Sequence, residues 1–170
     1  VRDPADITVL VLDVDGVLTD GSIIYSDDGH EIKRFYTRDG FGLKTWLRAG
    51  FDAAVITGRG GAALARRMNE IGVKHVVEHS RDKDADLRGL CERLGVPLSS
   101  CAFVGDDWPD LAAMRLAGYA IAVADAEPAV IELADWVTPR PGGRGAVRDA
   151  VEHLLGAHGI SAPGDDPAVP

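Results

Sequence analysis

The chain has 170 residues, 46% hydrophobic and 26% charged, with a formal net charge of −9. That length suits one well-buried domain, and the acidity argues against the basic surface on which non-specific nucleic-acid binding depends. The longest uncharged apolar stretch, residues 7–12, is too short to span a bilayer, and "VRDPADITVLVLD" has no export-signal pattern, so a cytoplasmic location is expected.

Residues 7–12 read as a buried strand, and the chain beyond them places Asp13 and Asp15 one residue apart on one side. Two carboxylates on a shared face repel unless a cation sits between them. Asp and Gly also form ordinary polar turns, so the pair alone leaves both readings open. "SIIYSDDGHEIKRFY" has two β-like runs around Asp27-Asp28-Gly29 and predicts a hairpin over residues 22–36. It shows Ile23, Ile24, Tyr25, Phe35 and Tyr36, apolar surface that needs cover from its own domain or another subunit. Arg38 and Asp39 follow where a helix begins, Asp39 either as its N-cap or, with Arg38, at a ligand rim.

From there, helical segments at 42–49, 61–71, 83–94, 111–116, 128–133 and 146–155 alternate with strands at 53–57, 75–77, 102–104, 119–123 and 136–138. The alternation predicts an α/β fold, a doubly wound, mainly parallel Rossmann-like sheet with a β-hairpin insertion after the first strand. One domain is expected over residues 1–158, and the Pro-, Gly- and Asp-rich stretch 159–170 is expected to be disordered. Cys91 and Cys101 form no metal or disulfide pattern and read as reduced structural thiols. The five histidines have no ligand spacing, and Trp46, Trp108 and Trp136 read most simply as packing residues, with a further role left open for Trp108 by its place inside "VGDDWPD".

Ligands of open parallel sheets bind beyond the carboxyl ends of the strands. Those ends deliver Asp13 and Asp15, then Thr57, Gly58 and Arg59, then Asp106, Asp107 and Asp110, with Lys83 at the start of a helix. Singly, residues 57–59 could be a flexible turn and Lys83 a solvated helix residue. Together they are what phosphoryl transfer needs: a carboxylate to attack phosphorus, carboxylates to hold Mg²⁺, a lysine and a hydroxyl for the phosphoryl oxygens, and a second carboxylate to serve the leaving group. "GGRG" at 142–145 either cradles phosphate or leads into the last helix, with Arg144 a candidate substrate contact.

In this order "DVDGVLTDG", "ITGR", the Lys83 position and "VGDDWPD" resemble the four motifs of the haloacid dehalogenase superfamily of phosphatases, over residues 7–155. "YTRDGFG", a hairpin in place of a cap domain, "IAVADAEP" and "GGRGAVRD" are similar to its capless branch, the 3-deoxy-D-manno-octulosonate 8-phosphate phosphatases. The resemblance implies Mg²⁺-dependent hydrolysis of a small phosphorylated sugar acid through an aspartyl phosphate, by a homotetramer. It makes Asp13 the nucleophile and a metal ligand, Asp15 the general acid/base and a ligand through its carbonyl, and Asp106 the remaining ligand. Thr57 and Lys83 would hold the phosphoryl group, with Asp107 and Asp110 in support. Gly58, Arg59, Arg38 and Arg144 are the substrate candidates, and Arg59 is expected to read the sugar carboxylate. Three other readings stand beside this one: an acylneuraminate 9-phosphate phosphatase, a phospho-acceptor signalling module, and a non-catalytic scaffold. Asp15 separates enzyme from signalling module, because a long-lived acyl phosphate has no use for an acid/base two residues away.

Overall fold

The computed structural model describes residues 2–161, so most of the segment expected to be disordered lies outside the described residues. In chain order the elements are β1 (Val9–Leu12), β2 (Ile24–Tyr25), β3 (Glu31–Ile32), α1 (Thr37–Arg48), β4 (Asp52–Ile56), α2 (Ala62–Ile71), β5 (His75–Val77), α3 (Lys83–Leu94), β6 (Cys101–Gly105), α4 (Leu111–Leu116), β7 (Tyr119–Ala122), α5 (Pro128–Leu133), β8 (Trp136–Val137) and α6 (Ala146–Ala157). Six strands form one parallel sheet in the order β5-β4-β1-β6-β7-β8, while β2 and β3 pair antiparallel on their own.

The sheet explains the apolar runs. All four residues of β1 are buried, because helices cover both faces and leave no polar side to alternate with. Val11 lies opposite Ala54 on β4 and Phe103 on β6. From β1 the chain builds outward to β4 and β5, then crosses back to add β6, β7 and β8 on the other side. Strand order therefore reverses at β1, and the crevice at its carboxyl end is where such sheets bind ligands. Among the described residues no helix is long and apolar enough to cross a membrane.

The structure departs from the sequence reading at α1, which begins at Thr37 rather than residue 42. Gly40 and Gly42 weaken the helical signal. Tertiary packing overrides it: a Cβ on Gly40 would lie 2.1 Å from the Arg67 guanidinium, and one on Gly42 would lie 3.2 Å from the Arg148 backbone on α6. Asp39 is neither the N-cap of α1 nor a rim residue. It is buried inside α1, and its carboxylate accepts from the backbone N–H groups of Gly145 (3.2 Å) and Arg148 (2.9 Å), capping α6 instead.

Trp46 is buried with its indole N–H donating to the Asp52 carbonyl at 2.7 Å, and Trp136 stacks on His153 at 4.2 Å. Trp108 corrects the packing reading, being 68% exposed on a short turn that lifts it off the sheet. Cys91 and Cys101 are free and buried, as expected.

Candidate active site

β1 ends at Leu12, yet the ladder continues one step, since the Asp13 N–H donates to the Val104 carbonyl at 3.1 Å. That bond holds Asp13 as an extension of the central strand, in a cavity of about 550 Å³ at the carboxyl edge of the sheet. Asp13, Asp15, Thr57, Gly58, Arg59, Lys83, Asp106 and Asp107 all line it. Asp110 lies just beneath, fully buried.

Lys83, the first residue of α3, is buried with its Nζ 2.9 Å from Asp13 Oδ1 and 2.6 Å from Asp110 Oδ1. Burial works against the ammonium, but the two aspartates outweigh it and raise its pKa. Asp110 serves as the keystone. One oxygen accepts from Lys83, and the other accepts from the backbone N–H groups of Asp106 (3.0 Å) and Asp107 (3.3 Å). Asp107 is exposed and caps the turn of Trp108–Asp110 by accepting from the Trp108 N–H at 2.7 Å. Thr57 is buried at the end of β4, where its hydroxyl accepts from the Arg59 N–H at 3.3 Å and keeps its own proton for a ligand.

The donor set suits a small hard cation. Asp13, Asp106 and Asp110 each offer a carboxylate oxygen within 4.8 Å of the others. With Asp110 committed to Lys83 and two amides, Asp13 and Asp106 are left to bind. Asp106 Oδ1 and Asp15 Oδ2 are buried without a hydrogen-bond partner, and the Lys83 ammonium near Asp13 Oδ1 is poorly aligned with it. Burial, then Asp110, Asp13 and Asp107, push the Asp106 carboxyl up to about 8 against the opposing pull of Lys83. Burial and Asp110 likewise push Asp13 up to about 6, again opposed by Lys83. Crowded acids of this kind are relieved when a divalent cation replaces their protons. Gly16 makes the crowding possible: its φ is +98°, and a Cβ there would lie 2.0 Å from Asp106 Oδ2.

The rim differs from the sequence reading. Arg59 lines the cavity, but its guanidinium is engaged with Glu31 Oε1 (3.3 Å) and the Tyr25 hydroxyl (3.4 Å), and its Nε is 3.8 Å from Asp15 Oδ2. Arg38 lies over the Tyr36 ring, and Arg144 faces Asp20 at 3.9 Å beside Arg34; neither lines the cavity of its own chain. Arg81 does line it, and no ion pair holds it among the described residues. Arg81, and Glu31 and Lys33 of the hairpin, are site residues that the sequence pattern does not single out. Their alternation in "EIK" places Glu31 and Lys33 on one side of an extended chain. Nothing in the sequence shows that this side meets Asp15.

A carboxylate pair at the central strand end, faced by a buried lysine, a hydroxyl and a cation-ready acidic cluster, is a constellation suited to phosphoryl transfer. Residues 67–149 match the family model of haloacid dehalogenase-like hydrolases. The 3-deoxy-D-manno-octulosonate 8-phosphate phosphatase KdsC of Escherichia coli K12 is 41% identical over 154 residues, covering 91% of this chain and 82% of the relative. The crystal structure of 3-deoxy-D-manno-octulosonate 8-phosphate phosphatase from Moraxella catarrhalis, in complex with magnesium, phosphate and KDO, is similar with a TM-score of 0.90 and 42% identity, covering 92% of this chain and 90% of that one. The cobalt-bound phosphatase of Haemophilus influenzae is similar with a TM-score of 0.92 and 37% identity, covering 96% and 95%. The chain belongs to the haloacid dehalogenase-like hydrolases, in the branch of the 3-deoxy-D-manno-octulosonate 8-phosphate phosphatases. It is a phosphoric monoester hydrolase.

Proposed function

We propose that the protein hydrolyses 3-deoxy-D-manno-octulosonate 8-phosphate with Mg²⁺ as its cofactor. The observation that carries this reading is the pairing of Asp13, held beside Lys83 at the end of β1, with Asp15 two residues on at the mouth of the same cavity. An Asp13 carboxylate oxygen attacks phosphorus, the bond from phosphorus to the sugar oxygen breaks, and Asp15 gives that oxygen a proton. Asp15 then takes a proton from water, whose oxygen attacks the same phosphorus and returns Asp13 to its carboxylate as phosphate leaves. The Thr57 hydroxyl and the Lys83 ammonium hold the phosphoryl oxygens, and Asp110 keeps Lys83 aimed at them. Asp13, Asp106 and the Asp15 carbonyl would hold the Mg²⁺, which supplies positive charge against the phosphate dianion.

The sugar carboxylate is assigned to the wall that carries Arg59 and Arg81, because a guanidinium accepts a carboxylate with two parallel bonds. A phospho-acceptor module is disfavoured by Asp15, a second carboxylate lining the same cavity as Asp13, which would shorten the life of an acyl phosphate. A homotetramer is supported by Ile23, Ile24, Tyr25 and Ile32, which stand exposed together on the hairpin. A cytoplasmic setting is supported by the two free thiols.

The test is phosphate release from a panel of sugar phosphates with Mg²⁺. The octulosonate 8-phosphate should have a higher kcat/KM than acylneuraminate 9-phosphate or glucose 6-phosphate. A panel led by the neutral hexose phosphate would overturn the carboxylate assignment.

A further inference from the structure

Lys33 is anomalous for a hairpin residue. Its neighbours on β2 and β3 are largely exposed, yet its side chain is only 4% exposed, and a buried ammonium is costly unless fully paired. Its Nζ meets Asp15 Oδ1 on one side and Glu31 Oε1 on the other, at 3.2 Å. Glu31 Oε1 also accepts from Arg59, whose Nε approaches Asp15 Oδ2. The four side chains close a ring of alternating charge, Asp15 to Lys33 to Glu31 to Arg59 and back. Two of its members come from the hairpin and two from loops that follow β1 and β4.

The ring is not symmetric about Asp15. Lys33 is bonded to Oδ1, whereas Arg59 Nε at 3.8 Å is beyond hydrogen-bond reach of Oδ2, which is left without a partner. A carboxyl that donates and then takes a proton must be held in a fixed place and orientation, and among the described residues Lys33 is the cation within hydrogen-bond reach of Asp15. Lys33 itself does not line the cavity and is not placed to touch a substrate.

We propose that Lys33 is a positioning residue for Asp15: anchored by Glu31, it holds Oδ1 and so fixes where the Asp15 carboxyl stands beside the cavity, and the hairpin completes the catalytic cleft of its own chain. The inference rests on Asp15 being the acid/base. It also gives the hairpin a function besides contact between subunits. A two-stranded hairpin is marginal alone, so the bonds that aim Asp15 also help to hold the hairpin down. Coupling of this kind is reciprocal.

The experiment compares a primary alkyl phosphate with p-nitrophenyl phosphate, using kcat/KM at saturating Mg²⁺. This parameter reports steps only through departure of the leaving group. Nitrophenolate leaves without a proton and an alkoxide does not, so loss of positioning should penalise the alkyl substrate selectively. Lys33→Met should lower the alkyl-to-aryl ratio of kcat/KM by about tenfold or more, inside the roughly 10²–10⁴-fold worth of a general acid. Asp15→Asn should bias the ratio further in the same direction, and Lys33→Arg should restore most of it. A Lys33→Met enzyme whose two substrates fall in proportion, or do not fall, overturns the inference. If Asp15→Asn shows no bias either, the acid/base reading is what has failed. Should Lys33→Met misfold, Glu31→Gln serves, since it removes the anchor and leaves the lysine; a bias in the same direction is expected, and an unchanged ratio overturns the proposal. Hydrogen exchange gives a readout apart from activity. Asp15→Asn should speed exchange at the β2 and β3 amides but not at β1, and unchanged hairpin protection would contradict the coupling.

Discussion

The floor of the cleft and its rim use the same chemistry in opposite ways. On the floor, acids outnumber bases: Asp13, Asp106 and Asp110 crowd one lysine, and the excess negative charge is what a cation and a phosphoryl transfer can exploit. At the rim, Glu31 and Asp15 are matched by Lys33 and Arg59, so the charges are spent on each other. An unbalanced cluster stores a demand for a ligand, whereas a balanced ring stores geometry. The contrast predicts that floor substitutions change whether the reaction occurs, and rim substitutions change which substrates it favours.

The largest effect should come from Asp13→Asn, which keeps shape and removes the proposed nucleophile. Turnover of every phosphate monoester should fall by roughly 10³-fold or more, with the fold retained. Circular dichroism and phosphate release together check this, and substantial residual turnover would remove Asp13 from the nucleophile role.

Next is the pH dependence of stability without metal. Folding raises Asp13 to about 6 and Asp106 to about 8 from an ordinary 3.8. The folded chain therefore binds more protons than the unfolded chain between about pH 4 and 8, and stability from these groups falls as pH rises through that window. Mg²⁺ should raise Tm more at pH 8 than at pH 5.5, because at the higher pH it replaces the protons whose absence costs stability. Asp106→Asn should flatten the upper part of the slope. Thermal unfolding in chelator and in Mg²⁺ measures both, and a chelated protein that gains stability from pH 5.5 to 8 would show that the floor is not unbalanced.

Smaller effects belong to the rim arginines. Arg81 has no ion pair among the described residues and should be worth a full charged hydrogen bond to the sugar carboxylate, about 1.5–3 kcal/mol, or roughly ten- to a hundredfold in preference for the sugar acid over p-nitrophenyl phosphate. Arg59 is 41% exposed and already paired. Arg59→Ala should cost that preference less than about fivefold, the scale of an exposed ion pair. Steady-state kinetics of the two alanine variants give the order, and a larger loss at Arg59 would mean that its bonds to Glu31 and Tyr25 yield to substrate.

The sequence by itself determined the sheet and the floor. Period-2 and unbroken apolar runs mark strands buried on both faces, and a parallel sheet sends every strand end to one edge, so Asp13, Thr57 and Asp106 had to meet once the strands were found. The start of α3 at Lys83 was legible from the helical segment at 83–94, and the structure adds Asp82 as its N-cap. What only tertiary structure decided is everything that depends on how separate elements dock. Gly40 and Gly42 look like helix breakers until Arg67 and Arg148 occupy the space a Cβ would need. Asp39 looks like the cap of its own helix until α6 presents its free N–H groups to it. The hairpin was found from its turn signal, but its pairing is local and its docking is not. No periodicity in 31–33 records that Lys33 folds back 18 residues to Asp15, since that contact is set by the path of a loop and by the cost of leaving a buried charge alone.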